Sequence, residues 1–86
     1  MTKIELAKRL HDENFLESIF DLDGNIPAAY EGYILSKIDN RWRIEYYERG
    51  TKRLLGEFTD EGVACDWLYN KLECDPTTRK KAERNE

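Results

Sequence analysis

The apolar positions of this 86-residue chain change rhythm along its length. In "TKIELAKRL" at the start, Ile4, Ala7 and Leu10 recur at helical spacing, with Phe15 continuing the series. Thr2 followed by Glu5 has the form of a capping box, so the pattern predicts a helix over residues 3 to 14. The next stretch, "FLESIFDLDGNIPAAYEG", loses that period. Asp23-Gly24-Asn25 is a turn, Pro27 disfavours a helix, and Gly32 interrupts again. Within it, Ile19 to Leu22 reads as a short strand or as an apolar plug.

From residue 33 the period becomes two. Ile34 and Ile38 share one parity and Tyr33 and Leu35 the other, and Asp39-Asn40 supplies a turn because both residue types tolerate left-handed backbone. In "RWRIEYYE", Trp42, Ile44 and Tyr46 point one way while Arg43, Glu45 and Tyr47 point the other. Such alternation fits an antiparallel sheet with one covered and one wet face. A loop over residues 49–53 and a third strand from Leu54 to Phe58 complete the sheet.

Thr59 is placed to cap a last helix, with Asp60 and Glu61 in the first turn, where the helix dipole favours negative charge. Val63, Ala64, Trp67, Leu68 and Leu72 form its apolar stripe. The expected fold is α+β: an N-terminal helix, a three-stranded antiparallel meander and a C-terminal helix, with both helices on the Trp42 face. One domain spans residues 1–74. Residues 75–86 form a polar tail or a short helix, in which Asp75-Pro76 resembles a helix start.

Composition narrows the function. A chain this short buries roughly 60–65% of its unfolded surface, which leaves little room for an internal substrate cavity and favours a surface site. Charged residues are 37% of the chain and apolar residues 40%, and the net charge is −4. Residues 1–40 carry all of that excess at −4, residues 41–73 carry −1 and residues 74–86 carry +1. An acidic domain repels phosphate and suits a basic partner. No apolar run approaches the ~20 residues that span a bilayer. Nothing at the start reads as a signal peptide, so Cys65 and Cys74 are expected as reduced thiols in the cytoplasm. On one helix they would lie about 13 Å apart, too far for a disulfide.

Little in the sequence suggests catalysis. His11 is the only histidine, so neither a zinc site nor a histidine-activated Cys65 has its usual partners, and no metal or cofactor is expected. "DLDGN" has a superficial likeness to a calcium loop, but the twelfth position falls on Gly32 instead of glutamate. The arginine–aromatic hairpin offers an alternative reading, a small nucleic-acid-binding or regulatory protein that stacks bases on Tyr47 and Tyr33. Glu45 and Glu57 would oppose phosphate there.

Residues 41–68, "RWRIEYYERGTKRLLGEFTDEGVACDWL", resemble a pattern in small immunity proteins of bacterial polymorphic toxin and contact-dependent growth-inhibition systems. The matching positions are Trp42, Tyr46-Tyr47, Glu48-Arg49-Gly50, Phe58, Asp60-Glu61 and Ala64-Cys65. Leu22 to Pro27 is similar to that family's Leu-X-Gly-Gly-X-Pro turn, and the likeness covers roughly residues 15–72. Asn25 stands where a second glycine is usual, and Gly62 where glutamate is.

The resemblance implies a non-enzymatic antidote that binds the C-terminal domain of a cognate toxin in the cytoplasm, often a nuclease with a basic groove. An acidic inhibitor would be steered to such a groove and would hold it through aromatic anchors ringed by charge. On that expectation Tyr30, Tyr33 and Tyr47 are candidate anchors, and Asp21, Asp23, Glu31 and Glu45 candidate charge partners. Each tyrosine has sheet packing, and each acid plain solvation, as its competing role. Arg49 in the Glu48-Arg49-Gly50 motif either braces the hairpin loop or touches the toxin.

Overall fold

The computed structural model describes residues 1–75 and residue 78. In chain order they form helix α1 (Lys3–Asp12), a single 3-10 turn (Glu17–Ile19), and strands β1 (Phe20–Asp21), β2 (Glu31–Ile38), β3 (Arg41–Glu48) and β4 (Thr51–Phe58). Helix α2 (Glu61–Cys74) follows. The sheet has four strands in the order β1-β2-β3-β4. β1 runs parallel to β2, with Phe20 opposite Tyr33 and Asp21 opposite Ile34, and the other pairs are antiparallel. The expected three-stranded antiparallel meander is therefore corrected to a four-stranded mixed sheet. The residues 19–22 stretch supplies the added edge strand.

Local chemistry explains each element. The Glu5 backbone N–H donates to Thr2 Oγ1 at 3.2 Å, and the Thr2 N–H donates to Glu5 Oε1 at 2.8 Å. Two orphan donors at the start of α1 are thereby satisfied. Two left-handed residues, Asp39 (φ 51°) and Asn40 (φ 65°), close β2 on β3, as the tight right-twisted hairpin turn requires. Arg49 (φ 53°) and Gly50 (φ 81°) do the same for β3 and β4. That second turn is two residues long because Glu48 already pairs with Thr51. The expected loop over 49–53 is thus mostly strand.

A bulge lies between the Ile44–Gly56 and Glu45–Leu54 pairs, with Leu55 as the extra residue. It breaks the alternation that would send Leu54, Gly56 and Phe58 to one face. Leu54 is consequently 49% exposed. α2 is capped by Asp60, not Thr59: Asp60 Oδ1 accepts from the N–H groups of Gly62 at 2.7 Å and Val63 at 3.3 Å.

The core lies between the helices and one sheet face. It joins Leu6 and Leu10 of α1, Phe15, Tyr33 and Leu35 of β2, Ile44 of β3, and Ala64, Cys65, Leu68, Tyr69 and Leu72 of α2. Trp42, Tyr46 and Phe58 pack against its edge, so the Trp42 face is the covered one. Tyr33 belongs to this core at 5% exposure, which removes it as a surface anchor. On α2, Cys65 and Tyr69 are buried while Val63 faces outward.

The opposite sheet face is partly roofed. Ile34 points there and is fully buried, as is Pro27 in the crossover between β1 and β2. A methyl group added at Gly24 would meet Ser36 Cβ at 3.2 Å, so the crossover begins against this face. The tail expected at residues 75–86, with its Asp75-Pro76 helix start, lies outside the described residues except at Asp75 and Thr78. Thr78 is fully buried, and its carbonyl accepts from the Leu16 N–H at 2.7 Å.

Candidate binding surface

α1 carries two apolar stripes and buries only one. Leu6 and Leu10 enter the core, whereas Ile4 is 79% exposed and Ala7 is also exposed. The expected stripe of Ile4, Ala7 and Leu10 therefore holds only at Leu10. The outward pair forms one wall of an open groove of about 320 Å³, with Phe20 and Leu22 on the other side. Lys3, Glu17, Asp21 and Asp23 complete its lining, for a net charge of −2.

The second wall is held by β1 and the turn after it. Asp21 Oδ2 accepts from the N–H groups of Asp23 at 2.9 Å and Asn25 at 2.7 Å. Gly24, at φ 82°, donates its N–H to the Leu35 carbonyl at 3.0 Å. "DLDGN" is thus a turn locked by its own first acid, the Asx arrangement. Among the described residues no group of three or more His, Cys, Asp or Glu is placed to hold a metal ion.

The remaining lining acids each have a side-chain partner. Lys3 Nζ reaches Asp23 Oδ1 at 2.7 Å, with Asp23 exposed and Lys3 partly buried. His11 Nδ1 lies 2.9 Å from Glu17 Oε2. The Lys3 backbone N–H donates to Glu61 Oε2 at 2.8 Å, tying the groove's helix to the start of α2.

The other predicted residues fall elsewhere. Tyr30, Glu31, Tyr47 and Arg49 gather at one end of the sheet, where β2 begins and the β3–β4 turn lies. Tyr47 pairs with Gly32 and Glu31 with Glu48. Tyr30 is 73% exposed and sits at φ 58°, a conformation uncommon for a bulky side chain. Glu31 accepts a long hydrogen bond, 3.4 Å, from the Tyr46 hydroxyl. Burial, reinforced by Glu31, raises the Tyr46 phenol above its ordinary pKa. Tyr33 is held inward, edge-on to Tyr46 at 5.0 Å and donating its hydroxyl to Asp75 at 3.4 Å.

Glu45 stands apart from both groups, on the middle of the sheet's outer face. Its side chain is only 14% exposed and lies 3.8 Å from Arg43. Arg43 and Arg41 both reach Glu57, at 3.4 and 3.1 Å. Two arginines and two glutamates thus cancel across the strands, so the hairpin offers phosphate no excess of positive charge there. Arg53 and Lys37 lie over the rings of Tyr46 and Trp42, at 6.0 and 5.5 Å from their centroids.

Asp21 and Asp23 stand out in the sequence as acids in a turn, whereas the apolar wall they adjoin does not. The available signal was the surplus of apolar residues on α1: Ile4, Leu6, Ala7 and Leu10 cannot all face one core.

Cys65 is fully buried, and desolvation, with Glu61 adding to it, pushes its thiol up to about 11. A thiol so protonated is a packing group and a poor nucleophile. Among the described residues, no helix is long and apolar enough to cross a membrane. No family model matches this chain, and neither a curated protein nor a solved structure matches it.

Proposed function

We propose that this chain is an immunity protein: a non-enzymatic inhibitor that binds the C-terminal domain of a cognate toxin in the cytoplasm and occludes its working surface. The resemblance over residues 41–68 points to the class, and the α1–β1 groove is the observation that carries the reading. α1 leaves Ile4 and Ala7 uncovered beside Phe20, Leu22 and three acids, so a small apolar surface lies next to negative charge. Its charge suits a basic partner such as a nuclease whose groove holds nucleic acid. Opposite charge would speed the encounter, and burial of the apolar walls would slow release.

Co-expression supplies the test. The toxin domain is taken from the adjacent upstream gene, where a large secreted protein with a variable C-terminus is expected, and growth is scored with and without this chain. The parent chain should restore growth. Ile4→Glu and Asp23→Lys should each weaken the rescue, because both side chains are exposed and their replacement leaves the core intact. Glu31→Lys, at the far end of the sheet, tests the second cluster of candidate residues in the same assay. Full rescue by both groove variants would remove the groove from the mechanism, and failure of the parent chain to rescue would remove the function itself.

A further inference from the structure

We infer that the α1–β1 groove receives an apolar segment of the partner protein bearing an arginine, and that Lys3 stands in for that arginine until the partner displaces it. The inference rests on the reading that this chain works by docking on a basic protein, and it names what enters the groove.

Three features of the groove select such an occupant. Its walls are aliphatic and aromatic, from Ile4, Ala7, Phe20 and Leu22, and its volume is about 320 Å³. An apolar segment seated there would expel water from surfaces that cannot bond it. The ionisable lining is three acids to one lysine. A partner residue must therefore combine a long apolar stem with a cationic head. Arginine does both: its stem lies along apolar surface and its planar fork can bridge two carboxylates.

Lys3 already shows that a cation is held here. Its ammonium sits 2.7 Å from Asp23 Oδ1, yet the two side chains are 38% and 68% exposed. A pair with one partner exposed and the other partly so is weak and readily exchanged. The backbone of Lys3 is fixed separately, through its N–H to Glu61. Its side chain can therefore swing away without loosening α1. Lys3 thus acts as an internal competitor that lowers the affinity for the partner's cation.

Isotope-edited NMR with a defined probe tests both halves. The 15N-labelled full chain is titrated with a capped peptide of alternating leucine and arginine, and with matched Leu/Glu and Gly/Arg peptides. Amide shifts should concentrate at residues 3–7 and 20–23 with Leu/Arg, weaken with Gly/Arg and be absent with Leu/Glu. Lys3→Gln should tighten Leu/Arg binding by about two- to five-fold at low salt, the range an exposed ion pair can supply. Ile4→Glu should weaken it by about ten-fold or more, as expected for putting a charge on an apolar contact surface.

Shifts centred on Tyr30, Tyr47 and Arg49 would overturn the assignment of the groove. Equal binding of Leu/Arg and Gly/Arg would overturn the apolar requirement, and equal binding of Leu/Glu the charge requirement. An unchanged or weaker affinity in Lys3→Gln would overturn the competitor role. No toxin is present in this titration, so failure of growth rescue would defeat the immunity function while leaving a positive titration standing.

Discussion

Replacing Gly32 by alanine should be among the most damaging single-methyl changes in this chain, and the reason lies in the parallel strand pair. Gly32 sits at φ +140°, a backbone conformation that side chains with a Cβ rarely adopt. An added Cβ would lie 2.0 Å from the Ile19 carbonyl oxygen, 2.5 Å from its carbon and 2.8 Å from its Cα. These are backbone atoms, so no side chain can rotate away. Ile19 would have to retreat by about 1.5 Å to restore ordinary van der Waals contact. That movement pulls Phe20 and Asp21 out of register with Tyr33 and Ile34.

Overpacking costs about 1–3 kcal/mol and the backbone strain about another 1–3. The sum, about 2–6 kcal/mol, is a large part of the 5–15 kcal/mol that stabilises an ordinary domain. For a chain of this size it corresponds to a Tm loss of at least about 8 °C. Gly50 is the internal comparison: it too has positive φ, at +81°, but an added Cβ there meets nothing within 4 Å. Gly50→Ala should therefore cost only the conformational part, about 1 kcal/mol. Urea unfolding followed by tryptophan fluorescence reads both. If the two variants fell within about 0.5 kcal/mol of each other, the close approach of β2 to Ile19 would be wrong, and with it the wall of the groove.

Other expectations follow from single residues. Tyr30→Gly should raise stability by about 0.5–1 kcal/mol by relieving a bulky residue at φ 58°; loss of toxin rescue in that more stable variant would mark Tyr30 as a contact, and retained rescue would mark it as dispensable. A thiol reagent at pH 8 should label Cys74, which is exposed, and spare buried Cys65 until urea is added; prompt labelling of both would contradict the packing of α2. Burial, aided by Asp75, holds the Tyr33 phenol protonated up to about 12, against an ordinary 10.0. The unfolded chain releases that proton first, so stability should fall as pH rises from 10 toward 12. Tyr33→Phe should make the fall shallower in a series of melts, and an unchanged slope would mean that Tyr33 does not titrate differently on folding.

What the sequence made legible was chemistry that acts over a few residues. The Thr2–Glu5 box, the Asp39-Asn40 turn and the alternation about Trp42 each have their cause inside a short window, and each stands in the structure. What it hid depends on partners far along the chain. β1 is two residues long, too short for any period, and exists because β2 offers Tyr33 and Ile34 an edge to pair with. The bulge at Leu55 shifts Leu54 outward, which alternation alone cannot reveal.

The candidate site was half visible for the same reason. Asp21 and Asp23 announce themselves as acids in a turn, but the groove beside them arises only when α1 chooses Leu6 and Leu10 for the core and leaves Ile4 and Ala7 outside. Tyr33 was misplaced because a tyrosine has the same β preference on either sheet face. Its register with Tyr46 and Phe20 is what turns it inward.

Hydrogen exchange of this chain, alone and saturated with the toxin domain it is proposed to bind, reads the docking surface directly. Binding through the α1–β1 groove should slow exchange at residues 3–7 and 20–25 and leave the Arg49-Gly50 turn unchanged. Protection confined to that turn and to residues 30–31, with the groove amides exchanging as freely as before, would contradict it.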